Sequence, residues 1–365
     1  MPSPDELETG DRSLTTIAAG QHVMTVCNAC RYCEAYCPVF QAMENRTAFA
    51  KGDILYLANL CHNCGECLYA CQYAPPHEFN INVPRVMAEA RLVSYHEYAW
   101  PSFLRVAFQP GARGFSRAFV PLALSVVSML LLGAFVQSPS TRSDFYAVIP
   151  HDVMVAIFGV VGFLAVLALA IGWRRAVRSF GPSERRQGVV ALRDVLTLRH
   201  LHATGEDCTS DVDVRTPWRR YFHHCTFYGF ALCFASTTIA AIYHVVFGWR
   251  APYTYASLPV VLGTAGGVGL VVGPLGLLFE WSRRDPALRD PKQGGMDLTF
   301  IMMLCLVSVT GLLLLVLRNR PAMPSLLVIH LGFVLGLFVT LPYGKFVHGI
   351  YRTVALLKFS TEAHQ

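Results

Sequence analysis

The hydrophobic and polar positions divide the chain into a mixed amino-terminal part and a carboxyl-terminal part with long apolar stretches. Each stretch holds about 20 residues, which is enough for a helix to cross the hydrocarbon core of a bilayer. The predicted spans are residues 118–137, 150–173, 222–247, 257–281, 298–317 and 325–347. In the fourth span, a run of small residues from Gly263 to Gly276 favours close approach of a neighbouring helix. The pattern therefore predicts an all-α protein with a six-helix transmembrane bundle over residues 111–365.

Residues 1–110 are predicted to form a soluble domain that is also helical. The segment 39–60 has the periodicity of a helix, with Asp53 as its N-cap. A second helix is expected from Arg85 to about Tyr95, and no alternating strand pattern appears. The domain should therefore be built from helices and loops rather than from hairpins.

The composition supports a membrane location for part of the chain. Of the 365 residues, 53% are hydrophobic and 15% are charged, whereas about 25% of a soluble globular protein is charged. The first twenty residues contain acidic groups and no apolar core. We therefore expect no signal peptide here, and we expect the amino-terminal domain to stay in the cytoplasm.

The basic residues predict the membrane topology. The formal net charge is +6, but the arginines lie next to apolar spans, so they do not indicate a nucleic-acid partner. The connection 174–220 contains ten arginines, and the loop 282–296 adds four basic residues. By the positive-inside rule, both loops and both termini are expected on the cytoplasmic side of a bacterial cytoplasmic membrane.

Eight cysteines in two matching runs carry the strongest chemical signal. The runs CNACRYCEAYCP and CHNCGECLYAC share the spacing C-x2-C-x2-C-x3-C. This is the bacterial ferredoxin pattern, in which the fourth cysteine of each run ligates the other cluster. We therefore assign two 4Fe–4S clusters. One is held by Cys27, Cys30, Cys33 and Cys71, and the other by Cys61, Cys64, Cys67 and Cys37.

A pair of zinc sites or a disulfide framework fits the cysteine spacing less well. Zinc modules usually combine C-x2-C with a distant second pair, and a reducing cytosol disfavours disulfides. Outside the runs, Cys225, Cys233 and Cys305 lie in apolar stretches and are interpreted as small buried hydrophobes. Cys208, in an acidic loop, is given no role.

Histidines near the ends of the third and sixth spans are the next candidates, because a histidine in lipid is costly and often functional. With the predicted topology, His223 or His224 lies at the cytoplasmic level with His348. His244 lies at the outer level with His330. On one continuous helix, the 18 residues from His330 to His348 are about five turns, so both would leave the same face.

Two depth-matched pairs predict two b-type haems, each held by two imidazoles. A single haem at the inner pair is the main alternative, and His151 is a substitute for either outer ligand. An ideal helix favours His223 over His224 as the inner ligand. The simpler alternative is that these histidines are interfacial polar groups or hydrogen-bond partners in helix packing.

Four stretches carry a resemblance to a known family. They are CNACRYCEAYCPVF (27–40), DVLTLRHLHATGEDC (194–208), FHHCTFYGFALCFASTTIAAIYH (222–244) and LPYGKFVHGIYR (341–352). With them the chain resembles the tricarballylate-utilisation protein B family, also called citrate-utilisation protein B, over nearly its whole length. The resemblance implies a membrane electron carrier that serves an FAD-dependent dehydrogenase and passes electrons to the quinone pool. The last span also resembles the haem-bearing helix of nitrate reductase gamma subunits, which implies His330 and His348 as ligands.

The predicted function is electron transfer from a partner flavoprotein through the clusters and b haem to quinone. No flavin-binding motif follows a strand, so the organic substrate must be oxidised on another chain. Lys345, Arg352 and Tyr343 beside His348 are candidates for a quinone site, or else they anchor the helix end.

Two rival functions stay open at this point. One is a quinol-oxidising membrane subunit of a heterodisulfide-reductase-like or anaerobic respiratory complex. The other is a non-redox membrane scaffold or transporter with structural metal sites.

Overall fold

The computed structural model describes residues 4–104, 114–136, 145–181, 188–201, 208–211 and 214–362. Among them, the helices are α1 (Pro4–Cys30), α2 (Pro38–Glu44), α3 (Lys51–Leu60), α4 (Glu66–Tyr69), α5 (Val83–Tyr98), α6 (Gly114–Val136), α7 (Phe145–Val148), α8 (His151–Phe180), α9 (Gly188–Leu196), α10 (Trp218–Phe247), α11 (Leu258–Arg283), α12 (Pro291–Leu317), α13 (Met323–Thr340) and α14 (Val347–Glu362). A short antiparallel ribbon joins β1 (Cys208–Asp211) to β2 (Val214–Thr216). The predicted all-α fold is confirmed apart from this ribbon. The predicted domain boundary at residue 110 and the side chain of Cys208 lie outside the described part.

The helices α1–α5 form an amino-terminal unit around the fully buried face of α3, where Ile54, Leu55 and Leu57 are 0% exposed. The prediction of Asp53 as the N-cap of this helix is wrong by one turn. Ala50 is the N-cap, and the Asp53 carboxylate accepts a hydrogen bond from the Ala50 N–H at 3.1 Å. An acidic residue three positions into a helix also stabilises the start of that helix, which explains why Asp53 resembles a cap in the sequence.

Five helices are long and apolar enough to cross a membrane: α8, α10, α11, α13 and the part of α12 from Gln293. They coincide with five of the predicted spans. The remaining span coincides with α6 (Gly114–Val136), in which Val120–Ala134 is apolar.

The small residues of α11 allow α10 to approach closely, as expected. A Cβ atom on Gly266 would lie 2.8 Å from the backbone nitrogen of Cys233. One on Gly273 would lie 2.6 Å from the nitrogen of Thr226. Both contacts are with backbone atoms of α10, so a side chain at either position would force the two helices apart.

The last predicted span is not one helix. The helix α13 ends at Thr340, and α14 begins at Val347 after a turn. Pro342 lies in this turn and has no N–H to continue the helical ladder. Instead, the N–H groups of Tyr343 and Gly344 both donate to the Thr340 carbonyl. The expectation that His330 and His348 share one helix face is therefore wrong.

The carboxyl-terminal helix α14 packs into the core of the amino-terminal unit. Tyr351, Val354 and Ala355 are buried in the same hydrophobic cluster as α3, together with Ala176 and Phe180 from the end of α8. The two ends of the described chain thus meet at one side of the molecule, and His348 is held at the junction between this unit and the bundle.

Helix ends from the bundle also contact the amino-terminal unit. Near the end of α8, Arg175 donates to the Ala99 carbonyl at 2.8 Å. At the start of α10, Arg219 donates to the Asn63 carbonyl at 3.0 Å, and just after α11, Arg284 donates to the same carbonyl. Successive helices therefore alternate in direction, and the helix ends that flank both basic connections lie at the end that carries the cysteines.

Candidate cluster sites and histidine cavity

The eight predicted cluster ligands come together in two groups of four. One cavity, of about 250 Å³, is lined by Cys27, Cys30, Cys33 and Cys71. Cys37, Cys61, Cys64 and Cys67 line a narrower neighbouring cavity. The fourth cysteine of each run thus lies with the other run, which is the grouping that the predicted ligand assignment requires. Ligation itself stays a prediction.

The backbone produces this grouping by repeating one local conformation. In each run the residue after the second cysteine has a positive φ angle, 55° at Arg31 and 98° at Gly65. This left-handed residue reverses the chain, so that the third cysteine returns toward the first two. The chain then continues into α2 after Cys37, which is its N-cap and is followed by Pro38 at the first helical position.

The thiols of each group are close enough to influence one another. Burial and the neighbouring thiols of Cys71, Cys33 and Cys30 raise the pKa of Cys27 to about 12. Burial and the thiols of Cys64 and Cys61 also raise the pKa of Cys37. Four such groups become thiolates together only if positive charge lies among them. The donor set therefore fits an iron–sulfur cluster, whose irons supply that charge.

A single zinc ion requires ligands that converge on one point. Ligands of one zinc ion lie about 2.0–2.3 Å from it. Within the described part of the chain, no three His, Cys, Asp or Glu side chains converge closely enough to hold one metal ion.

A third cavity, of about 220 Å³, lies where the amino-terminal unit meets the bundle. It shares Cys61 and His62 with the second cysteine cavity, which in turn shares Cys67 with the first. The three cavities therefore lie in series. The first is next to Tyr32, which is 66% exposed, and the third is lined by His223 and His348.

His223 of α10 and His348 of α14 form the predicted inner pair. Their ring centroids are 6.0 Å apart, with an angle of 39° between the ring planes. His224 does not line this cavity. Its ring stacks on Tyr228 instead, with centroids 5.8 Å apart. Of the two neighbouring histidines, the structure thus places the one that ideal helix geometry favours beside His348.

The hydrogen bonds of His348 suit a metal ligand. Its Nδ1 lies 2.6 Å from the Lys345 carbonyl oxygen. Because a carbonyl only accepts, Nδ1 must carry the proton and Nε2 keeps its lone pair. A ligand imidazole is usually fixed in this way by a bond from its other nitrogen. Burial and the nearby positive charge of Lys345 lower the pKa of His348 to about 3, so the ring is neutral at physiological pH.

The predicted outer pair, His244 and His330, is not brought together. His244 stacks on His151, with centroids 3.7 Å apart and an angle of 20°. The Nδ1 of His330 lies 3.0 Å from the Thr310 hydroxyl. The difference follows from helix packing, because α10 packs mainly on α11, whereas α13 packs on α6 and α12.

His151, the predicted substitute for an outer ligand, does meet His244. Two imidazoles on opposite sides of one iron, however, need about 2 Å from each nitrogen to the metal. Rings stacked at 3.7 Å leave no such space. Tyr146 completes this outer group, with its hydroxyl 3.4 Å from Nδ1 of His244.

Three arginines meet around the third cavity, and the sequence does not predict that they come together. Arg91 donates to the Ala58 and Cys61 carbonyls, Arg219 to those of His62 and Asn63, and Arg352 to those of Leu60 and His200. The sequence places Arg352 beside His348 but gives no signal for Arg91. Its contacts depend on how α5 packs against α3.

The other two candidates for a quinone site, Lys345 and Tyr343, differ in their position relative to the third cavity. Lys345 lines the third cavity and forms an ion pair with Asp297 at 2.7 Å. The Tyr343 hydroxyl donates to the Trp100 carbonyl at 3.0 Å, and Tyr343 is not among the lining residues of the cavity. This bond anchors the chain beside the site, and a role of Tyr343 in quinone binding stays a prediction.

Comparisons with known proteins agree with both parts of the chain. The family described as citrate utilization protein B matches residues 115–365, and its Fer4-like domain matches residues 20–97. Among curated proteins, citrate utilization protein B of Escherichia coli is 48% identical over 349 residues, covering 94% of this chain and 91% of that protein. No solved structure matches the chain.

Proposed function

The chain belongs to the citrate utilization protein B family, and we propose that it is a membrane electron-transfer protein of citrate or tricarballylate utilisation. It accepts electrons from a partner FAD-dependent dehydrogenase and delivers them to the quinone pool. Two 4Fe–4S clusters and one b haem supply the one-electron chemistry. The protein lies in a bacterial cytoplasmic membrane, with the cysteine-rich unit and both termini in the cytoplasm.

The observation that carries this proposal is the series of three adjoining cavities. The first two are lined by the four-cysteine groups, and the third by His223 and His348. Shared lining residues connect each cavity to the next, so groups held in them would be close neighbours. A scaffold with structural metal sites has no need for such a series, whereas electron transfer between cofactors does.

The inner histidine pair supports one haem. A nitrogen ligand lies about 2 Å from a first-row metal ion, so the ring centroids of two imidazoles on opposite sides of an iron are about 6 Å apart. His223 and His348 have this separation, 6.0 Å. The cavity, at about 220 Å³, is smaller than the usual range of about 300–1,000 Å³ for ligand sites. A porphyrin therefore requires the surrounding side chains to move outward.

The membrane orientation is supported by the alternating directions of the apolar helices. The cysteine-rich unit and the helix ends that flank the two basic connections lie at one end of the bundle, where the positive-inside rule favours the cytoplasm. Thiolates and iron are available in reduced form on that side. The flavoprotein would therefore meet the first cysteine cavity from the cytoplasm.

The proposal is tested on the full chain, purified in detergent without oxygen. After reduction with dithionite, we expect the electron paramagnetic resonance signals of two clusters and the optical bands of a b haem at about one per chain. A water-soluble quinone should reoxidise both. Spectra without any porphyrin would remove the haem from the proposal, and redox-silent metal would favour the scaffold.

The direction of electron transfer needs a separate measurement. In membrane vesicles, the reduced flavoprotein should reduce the clusters faster than a quinol does. Rapid cluster reduction by a quinol analogue alone would favour the quinol-oxidising alternative.

A further inference from the structure

The cavity beside His223 and His348 has an excess of positive charge. Among the described residues, six cationic and two acidic side chains line it. They are Arg91, Arg219, Arg220, Arg284, Lys345 and Arg352, with Glu280 and Asp297. One pair is internally balanced, because Lys345 lies 2.7 Å from Asp297. In the described lining, Glu280 then remains as the acidic residue that faces five arginines.

Three of these arginines are fixed by neutral acceptors. Arg91, Arg219 and Arg352 each donate two hydrogen bonds to backbone carbonyls. These bonds orient the guanidinium groups without cancelling their charge. A guanidinium has five N–H donors, so each keeps donors for a further acceptor.

Burial makes the excess charge costly. Arg91 is 8% exposed. Burial and the neighbouring Arg91 lower the pKa of Arg352 to about 10, which shows that the two positive groups repel one another. Charges that are taken out of water require an opposite charge nearby. The thiolate-bound cluster in the adjoining cavity offsets part of the excess, and an anionic ligand would offset the rest.

We propose that Arg219 and Arg352, together with Arg91, bind the two propionate carboxylates of the haem held by His223 and His348. The inference rests on the proposed haem and assigns residues to its polar edge. A quinone is neutral and would leave the charge excess as it is. Arginine is suited to carboxylates because its planar donors bind them in pairs.

The test changes the ligand and the protein separately. Haem-free protein is purified from haem-deficient cells and titrated with haemin and with haemin dimethyl ester, in which both carboxylates are blocked. The readout is the Soret absorbance of the bound porphyrin. For the natural chain, we expect the ester to bind about tenfold more weakly or worse, because charge-assisted hydrogen bonds are lost.

Substitutions of the arginines then show which side chains recognise the carboxylates. In Arg219→Gln and in Arg352→Gln, haemin should bind more weakly than it binds the natural chain, with part of the loss seen for the ester, whereas ester binding should change little. Arg318→Gln is a matched control, because Arg318 also donates to a backbone carbonyl, that of Tyr253 at 2.6 Å, but does not line the cavity. It should leave the difference between the two porphyrins unchanged.

Three outcomes would overturn the inference. Equal affinity of the natural chain for haemin and its ester would show that the carboxylates are not recognised. If the two affinities are equal and phospholipid co-purifies with the protein, the arginines bind a lipid phosphate instead. If both variants keep the full difference in affinity between haemin and its ester, these arginines do not bind the carboxylates. Failure of both porphyrins to bind the natural chain would instead contradict the proposed haem itself. If a variant does not fold, the comparison on the natural chain still decides whether the carboxylates are recognised, and the other variant tests the arginines.

Discussion

The two ends of the helix bundle both carry histidines, but they arrange them differently. At the inner end, His223 and His348 are 6.0 Å apart and face a charged cavity next to the cysteine groups. At the outer end, His244 stacks on His151, and His330 is bound to Thr310. A matching depth in the membrane is therefore not sufficient for a cofactor site. The rings must also be held apart and oriented.

What holds the inner pair apart is the amino-terminal unit. His348 is carried by α14, which packs into the same core as α3, and its ring is oriented by the Lys345 carbonyl. His223 lies one helical turn after Arg219, which is bonded to the second cysteine run. At the outer end, by contrast, the described rings meet one another or a neighbouring helix directly.

The largest effect is expected from replacing an inner histidine. His348→Ala should remove nearly all haem from the purified protein, since one imidazole alone leaves the iron with an incomplete ligand set. Haem is measured as the pyridine haemochrome, and the cluster signals serve as a check on folding. His244→Ala, His330→Ala and His224→Ala are the matched controls and should keep the haem. If His330→Ala loses its haem and His348→Ala keeps it, the haem lies at the outer end of the bundle and not at the inner end.

The next largest effect is expected from replacing the fourth cysteine of a run, which should disturb one of the two predicted clusters. Cys71→Ser should disturb the cluster assigned to Cys27, Cys30 and Cys33, because Cys71 lines that cavity. Cys37→Ser should disturb the other cluster. Iron content should fall, and low-temperature paramagnetic resonance of the reduced protein identifies the cluster that changes. Loss of the second-run cluster in Cys71→Ser would contradict the crosswise grouping.

A smaller effect is expected where α10 meets α11, close to His223. A Cβ on Gly273 would lie 2.6 Å from the Thr226 nitrogen and 2.7 Å from the Phe222 carbonyl oxygen. Backbone atoms give way only if the helices separate, so Gly273→Ala should destabilise the protein by about 1–3 kcal/mol and weaken haem binding. Thermal unfolding in detergent and the haem content measure both effects.

Gly159 provides the control for that substitution. A Cβ placed there meets nothing within 4 Å, so Gly159→Ala should be neutral or slightly stabilising, since alanine favours a helix. Equal stability of the two alanine variants would mean that the α10–α11 contact is looser than the structure shows.

Some features of the site could be predicted from the sequence, and others depend on contacts between distant parts of the chain. The cysteine groups were predictable because each run is short, and its geometry depends on local features such as the turns at Arg31 and Gly65. The outer histidines were mispaired because their neighbours depend on which helices pack together. The predicted relation of His330 to His348 is wrong because of a local feature, the turn around Pro342. The role of Arg91 depends on contacts between α5 and α3, and no short motif records them.

The smallest effect tests whether the outer end is purely structural. The Thr310 hydroxyl donates to the Leu306 carbonyl at 2.6 Å, so its oxygen can accept a hydrogen bond from Nδ1 of His330. Thr310→Val removes this acceptor at nearly the same volume. Hydrogen bonds between membrane helices contribute about 0.6 kcal/mol on average. We therefore expect a small decrease in the unfolding temperature, with haem content and optical spectrum unchanged. A shifted haem spectrum in Thr310→Val would show that His330 contacts a haem, and the two ends of the bundle would then be alike.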